Sequence, residues 1–227
     1  MSYGISVTNT ENKVQIDQDY VNYVLVASSS FYLTYDSNTY GVDTGTVAVS
    51  NYTADPDDLI FVNTGHENNL VNCVPSGSGY AWTAWPNGAS GTVQVRIYRK
   101  MSKFRDSLAV PALPADRGYG LEVFAPSGIS YSSYYRPMVL RAIIQGDPGF
   151  EATYTVSGYT PFVSCNTAFV VSANAPADGS FPGETTFQMV SADSTKAYAR
   201  EAVAEGASGS SFDYIYSGIV SVLVIEG

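Results

Sequence analysis

Tyr3-Gly4-Ile5-Ser6-Val7 and Tyr119-Gly120-Leu121-Glu122-Val123 are two versions of one motif, in which an aromatic residue and a glycine precede alternating aliphatic positions. A second pair of related stretches lies at residues 90–97 and 217–224, where Ser-Gly precedes an aliphatic run. Alternation with a period of two is typical of strands that bury one face. Because each half has one such opening strand and one such closing strand, the sequence predicts a tandem duplication.

The spacing of the repeats divides the chain into two units. We predict an all-β protein with two tandem, similar β-sandwich domains at residues 1–105 and 118–227, joined by a short linker at residues 106–117. A unit of about 100 residues is long enough to form its own core. Pro111 and Pro114 lack the N–H of a ladder donor and favour an extended linker.

The composition also favours a β-rich globular chain. Of the 227 residues, 45% are hydrophobic and 14% are charged, and 18 Tyr and 10 Phe favour pleated, half-buried surfaces. Disordered segments need a lower hydrophobicity and a higher charge density. The net charge of −10, with 11 Lys and Arg, argues against a nucleic-acid partner, because binding phosphates requires clustered cations.

The strand pattern continues between the repeats. Short alternating runs separated by turn residues predict about eight strands in each half, which is typical of a sandwich. Residues 23–26 and 31–35 are predicted as two strands, and residues 59–62 form a continuous apolar run typical of a core strand. Residues 194–205 remain open between helix and strand, because they contain good helix formers but also alternating alanines.

The densest group of basic residues closes the first half, at Arg96, Arg99, Lys100, Lys103 and Arg105. One interpretation is a docking surface for a negatively charged neighbour. The other is a solvated strand end, the commoner fate of such charge runs.

The two cysteines lie one in each half, at Cys73 and Cys165. They do not resemble the disulfide framework of a small secreted domain. We predict that both are reduced and buried as small hydrophobic residues. A single disulfide between the halves is the alternative.

No segment has the charged-then-apolar pattern of a signal peptide. No apolar run reaches the roughly 20 residues that a membrane-spanning helix needs. We therefore expect folding in a cytosol and no membrane insertion.

The sequence offers few residues for catalysis. His66 is the only histidine, which excludes a histidine-based zinc cluster and leaves one candidate base for a nucleophilic triad. Neither a Gly-x-Ser-x-Gly elbow nor a phosphate-binding glycine motif is present. His66 is therefore predicted to be an ordinary loop residue, and we predict no catalytic set, no metal site and no cofactor.

The loop acids Asp55, Asp57 and Asp58 are the remaining option for chemistry. Two carboxylates suffice for glycoside hydrolysis, and several hard oxygens can hold calcium. Their spacing does not match the twelve-residue calcium loop. Acids that precede a strand commonly form turns through their own backbone hydrogen bonds, which is the structural interpretation.

Aromatic residues provide the candidate contact surface, at Tyr80, Trp82, Trp85, Tyr131 and Tyr135. In a plain strand the two tryptophans point to opposite faces, so one is expected in the core and the other at a surface. The two tyrosines of the second half would share a face. Such a surface would bind a glycan or, more in keeping with the enrichment of Tyr and Trp at interfaces, a neighbouring subunit.

Residues 118–137 resemble small structural proteins encoded near the end of tail gene clusters in long-tailed bacteriophages. The resemblance rests on Gly118-Tyr119-Gly120-Leu121-Glu122-Val123-Phe124, on Ser127-Gly128 and on Tyr131-Ser132-Ser133-Tyr134-Tyr135-Arg136-Pro137. In those proteins a similar strand, turn and strand form the opening hairpin of a β-sandwich. The first half carries a looser version that lacks the turn glycine and the Arg-Pro pair.

The resemblance implies a non-enzymatic structural component of a virion, an adaptor or spike part of the tail tip. It would be assembled in the bacterial cytoplasm with other tail proteins as its partners. Because most assemblies use closed symmetry, a homomeric trimer or ring is expected. Two alternatives stay open: a receptor- or glycan-binding module for host attachment, and a glycosidase that uses the loop carboxylates.

Overall fold

A computed structural model describes residues 6–8, 14–17, 22–35, 43–86, 88–103, 122–125, 128–132, 135, 137–146, 151–165, 170–174, 183–207 and 220–227. Across these residues the chain is all-β, with a short 3₁₀ turn at Met101–Lys103, so the predicted all-β class is confirmed. The predicted linker at 106–117 lies outside the described residues.

The strands of the first half, within this description, are β1 (Ser6–Thr8), β2 (Val14–Asp17), β3 (Tyr23–Leu33), β4 (Asp43–Ala48), β5 (Leu59–Asn63), β6 (Asn69–Ser76), β7 (Gly79–Pro86) and β8 (Gly91–Lys100). Those of the second half are β9 (Glu122–Ala125), β10 (Gly128–Ser132), β11 (Leu140–Gly146), β12 (Ala152–Thr155), β13 (Pro161–Ser164), β14 (Val170–Asn174), β15 (Gly183–Ala192), β16 (Lys196–Ala207) and β17 (Val220–Glu226).

Two antiparallel sheets contain most of these strands. Sheet I has the order β11-β17-β13-β5-β8-β3, and sheet II has the order β12-β16-β15-β6-β7-β4, with β14 also paired to β15. The pairs β1–β2 and β9–β10 form separate hairpins, as the sequence predicts. From the middle of sheet I outwards, the first half contributes β5, β8 and β3, and the second half contributes β13, β17 and β11. Sheet II is arranged in the same way, with β6, β7 and β4 on one side and β15, β16 and β12 on the other. The related closing stretches accordingly fall on β8 and β17, which occupy equivalent places.

The two halves share both sheets. β5 pairs with β13 at Val62 opposite Val163, and β6 pairs with β15 at Val71 opposite Val190. Because each sheet runs continuously from one half into the other, the predicted arrangement of two tandem domains is not confirmed. Alternation reveals which face of a strand is buried, but it does not reveal which strand will pair with its edge.

The main core lies between the two sheets and takes residues from both halves. Sheet I contributes aliphatic side chains, among them Val62, Val95 and Val224. Sheet II contributes several small residues. Four of its alanines are fully buried: Ala84, Ala192, Ala197 and Ala199. Small side chains on one face allow the facing sheet to approach closely.

A second core lies on the opposite face of sheet I, at Phe61, Tyr98, Phe162 and Ile225. Beside this core the start of β3 approaches the segment that precedes β11, because the N–H of Met138 donates to Tyr23 O (2.8 Å) and Val24 pairs with Pro137. β5 is therefore buried on both faces. This explains its continuous apolar run, since alternation is expected only where one face meets water.

The structure changes the strand assignment in three places. Residues 23–26 and 31–33 belong to one strand, β3, whose intervening serines pair with β8 and alternate between exposed and half-buried positions. From Lys196 onwards the open window at 194–205 is strand β16, because Ala197 and Ala199 alternate into the core and packing overrides helix propensity. Sequence reasoning missed β6, whose Asn, Cys and Pro residues weaken the strand signal.

Candidate functional site

The five aromatic residues of the predicted contact surface do not lie together on one surface. Tyr80 and Tyr135 are buried in the main core, so they are not surface residues, and burial raises the pKa of the Tyr80 hydroxyl to about 12. Trp82 packs against that core and stacks on Phe31, with ring centroids 4.6 Å apart. Tyr131 is half-buried. Alternation could not show that the face of β7 bearing Tyr80 and Trp82 is the one that meets sheet I.

Trp85 lies on the opposite face of β7, as its spacing from Trp82 predicts. It is half-buried and covers Leu70 and Met189, a small apolar cluster on the outer face of sheet II. Of the two tryptophans, Trp85 is therefore the one that remains a candidate for a contact outside the molecule.

A polar loop between β5 and β6 joins the two halves. The side-chain amide of Asn63 donates to Pro161 O (2.8 Å) and to Asp193 O (2.9 Å), and its oxygen accepts from the N–H of Gly65 (3.0 Å). Thr64 adds a backbone bond to Ala192 O at 3.0 Å. The loop thus connects the start of β13 with the end of β15, at the place where the two sheets pass from one half into the other.

His66 has a structural place in this loop. Its Nδ1 accepts the N–H of Asn68 (3.2 Å). The ring lies so close to Gly88 that a Cβ there would stand 2.2 Å from Nδ1. These contacts pack the His66 ring against the backbone of Asn68 and Gly88 within the loop.

Sequence reasoning did not find the partners of this loop in the second half. Arg200 of β16 donates to Asn68 Oδ1 (2.8 Å) and lies 3.3 Å from a carboxylate oxygen of Glu67. The hydroxyl of Ser191 donates to the carbonyl of Glu67 at 2.6 Å. The polar run that follows the buried strand β5 was the one sequence signal for this loop. It could not identify Ser191 and Arg200 as partners, because contacts between residues more than 100 positions apart leave no local pattern.

Replacing Asn63 with Asp is expected to lower the free energy of unfolding by about 2–4 kcal/mol, because each buried group left unpaired costs about 1–3 kcal/mol. The carboxylate keeps the acceptor for Gly65 but removes both donors, and it places negative charge against two carbonyl oxygens. Urea unfolding measures the change. Asn68→Asp is the matched control, since Arg200 would compensate its new charge. Equal effects of the two substitutions would contradict this role for Asn63.

The loop acids do not form an open pair. Asp58 is 0% exposed, and Arg99 donates to both of its oxygens, Nε to Oδ1 (2.7 Å) and Nη2 to Oδ2 (2.6 Å). Oδ2 also accepts the hydroxyl of Tyr52 (2.6 Å) and the N–H of Asp55 (3.0 Å). A carboxylate held in this way anchors the loop to β8.

The other two acids bind Lys103, at 3.4 Å from Asp55 and 2.8 Å from Asp57. Asp55 also accepts the N–H of Asp57, and this bond together with Lys103 holds the pKa of the Asp55 carboxyl below its usual range. Two members of the basic stretch, Arg99 and Lys103, thus meet a negatively charged neighbour within their own chain. Asp55 and Asp58 each accept a backbone N–H from within the loop, as expected if these acids form a turn.

A shallow, open cleft of about 490 Å³ lies beside this loop and is lined by Tyr23, Pro56, Asp57, Asp58, Leu59 and Lys100. Of its charged residues, Asp57 is exposed, Lys100 is half-buried and Asp58 is fully enclosed. Both oxygens of Asp58 are held by Arg99.

Stability is expected to fall as the pH rises above about 10, because three tyrosines have raised pKa values in the fold. Burial is the main cause at Tyr52, Tyr80 and Tyr198, and hydrogen bonds to Asp58 and Asp193 add to it at the first and third. Unfolding lets these phenols ionise at their ordinary pKa. Their contribution is therefore complete below pH 10 and is lost as the pH rises towards the folded-state values.

Urea midpoints measured from pH 8 to pH 11.5 test this expectation. Tyr80→Phe should flatten the alkaline fall, whereas Tyr32→Phe is the control because the Tyr32 ring is exposed. A midpoint that stays constant through pH 11 would contradict the prediction.

Across the described residues there is no group of three or more His, Cys, Asp or Glu side chains placed to hold a metal ion. The same part of the chain contains no helix long and apolar enough to cross a membrane. Comparison with models of known protein families finds no match, and comparisons with curated proteins and with solved structures find none either.

Proposed function

We propose that the protein is a non-enzymatic structural component of a phage virion, an adaptor or spike part of the tail tip that assembles with other tail proteins. The observation that carries this proposal is the apolar edge of sheet I at β11. A building block needs such an edge, because a neighbouring subunit can extend the sheet and cover it.

The edge at β11 has the features of an assembly surface. Leu140 and Ile143 are 44% and 53% exposed, and Val139 just before the strand is 41% exposed. β11 pairs with β17 on one side, and among the described residues the other side is bridged only before the strand begins, where Pro137 pairs with Val24. The charge of Arg141 is bound by Glu226, so it offers little protection against edge pairing.

The hairpin at β9 and β10 gives the proposal its virion context. The two strands pair antiparallel, with Gly128 of β10 opposite Ala125 of β9. The resemblance to phage tail proteins implies a hairpin of this kind. It supports the same placement for the protein, as a virion component assembled in the host cytoplasm.

Ile143→Lys is expected to weaken self-association or incorporation into particles at least tenfold, because it places a charge on the exposed edge. Val74→Lys is the matched control, since Val74 is a similarly exposed aliphatic residue in an inner strand of sheet II. Analytical ultracentrifugation and immunodetection in purified virions provide the readouts. Absence of the wild-type chain from virions would refute the proposal.

A receptor- or glycan-binding role is the second candidate, and Trp85 is the observation that favours it. Its ring covers Leu70 and Met189. Met189 lies opposite Arg200 in the β15–β16 ladder, and the guanidinium of Arg200 donates to Asn68. An aromatic face beside amide and guanidinium groups suits a sugar ring. Glycan-array binding that is lost in Trp85→Ala would support this role, whereas no binding at millimolar sugar would count against it.

A further inference from the structure

Cys73 and Cys165 meet across the main core. Cys73 lies on β6 of sheet II and comes from the first half, whereas Cys165 follows β13 of sheet I in the second half. Both are free cysteines with 1% exposure in the same buried cluster, where the Cys165 thiol adds to the effect of burial in raising the pKa of the Cys73 thiol. Their predicted burial is therefore confirmed.

Regular pairing holds the backbone on both sides of this contact. The N–H of Cys165 donates to Ile60 O at 2.8 Å, and Cys73 lies opposite Trp82 in the β6–β7 ladder. Alanines on sheet II, among them Ala84 and Ala192, belong to the same core and favour a close approach of the two sheets. A disulfide can bridge two face-packed sheets, as the immunoglobulin fold demonstrates.

We propose that Cys73 and Cys165 are a latent disulfide site that can link the two sheets and the two halves covalently. The oxidant is a low-molecular-weight disulfide such as oxidised glutathione. One cysteine thiolate attacks it, which forms a mixed disulfide and releases one glutathione thiol. The second cysteine then attacks the mixed disulfide, which forms the Cys73–Cys165 bond and releases the second glutathione. The protein loses two hydrogens, and one oxidised glutathione becomes two reduced molecules.

Burial controls when this reaction takes place. It raises the pKa of the Cys73 thiol well above its ordinary value, and only the thiolate attacks a disulfide. In the closed fold both thiols are also shielded from the oxidant, so oxidation requires the sheets to separate locally. If the protein is a virion component, which rests on the proposed function, it would fold reduced in the cytoplasm and be locked after release.

The test incubates the purified full-length protein with oxidised glutathione at a range of low urea concentrations, followed by alkylation and mass spectrometry. The expected product is a monomer lighter by two hydrogens, with a peptide that links Cys73 to Cys165. Its formation should become at least tenfold faster in mild urea. The bridge closes a loop of roughly 90 residues, so the melting temperature of the oxidised form should rise by about 10 °C.

Cys73→Ala and Cys165→Ala serve as the non-bridging controls, and neither should show the stabilisation. If a variant does not fold, the linked peptide of the wild-type protein still decides the question. Two alkylatable thiols after prolonged oxidation, or only glutathione adducts and intermolecular dimers, would overturn the proposal. Because the assay uses the isolated protein, its failure is independent of whether the chain belongs to a virion.

Discussion

Produced separately, residues 1–105 and residues 118–227 are expected not to form stable monomers. Each half alone would expose the inner edges of both sheets, β5 and β6 in one fragment and β13 and β15 in the other. The second core would also be divided, since Phe61 and Tyr98 pack with Phe162 and Ile225. Exposed, apolar sheet edges are templates for pairing with another chain, so each fragment should self-associate or aggregate.

Size-exclusion chromatography with light scattering provides the measurement for the two fragments. When the halves are expressed together, the expected result is a one-to-one complex, because β5 can again pair with β13 and β6 with β15. A fragment of residues 1–105 that is monomeric and unfolds cooperatively would contradict the expectation. It would instead support the two independent domains that the sequence predicts.

Replacing Asp58 with Asn is expected to lower the free energy of unfolding by about 3–5 kcal/mol, the usual cost of breaking a buried ion pair by removing one partner. The substitution keeps the size of the side chain but leaves the Arg99 guanidinium, whose own side chain is 15% exposed, without its counter-charge. It also turns one carboxylate oxygen into an amide nitrogen, although both oxygens accept hydrogen bonds in the fold.

Urea denaturation of Asp58→Asn, with Asp57→Asn as the control, measures this effect. Asp57 undergoes the same chemical change one position earlier, but its ion pair with Lys103 is exposed and should matter little. Equal losses of stability would show that the Asp58–Arg99 pair does not anchor the loop.

Several features of the fold follow from local pattern. The period of two in residues 3–7 and 14–16 predicts a hairpin, and β1 pairs with β2 in the structure. The likeness of residues 90–97 to 217–224 predicts equivalent strands, and β8 and β17 take equivalent places in sheet I. These predictions succeed because alternation and turn chemistry depend on neighbouring residues alone.

The candidate sites depend on contacts that no local pattern encodes. Tyr80 and Trp82 could face water or the core with the same spacing, and the second sheet decides the matter by packing against them. Asp58 has the sequence context of an ordinary turn acid, but Arg99, which lies 41 positions away, makes it a buried partner. Asn63 likewise derives its role from carbonyl groups of the second half.

The amino-acid sequence by itself determined the all-β class, the repeat, the opening hairpins and the burial of both cysteines, because composition and a period of two are local properties. Only the tertiary structure decided that the halves share continuous sheets, which aromatic residues are enclosed, and that Cys73 meets Cys165. The physical reason is that the edge of a strand can pair with any compatible edge. The partner of each edge is selected because the pairing buries both faces of sheet I, and this burial exists only once the whole chain has folded.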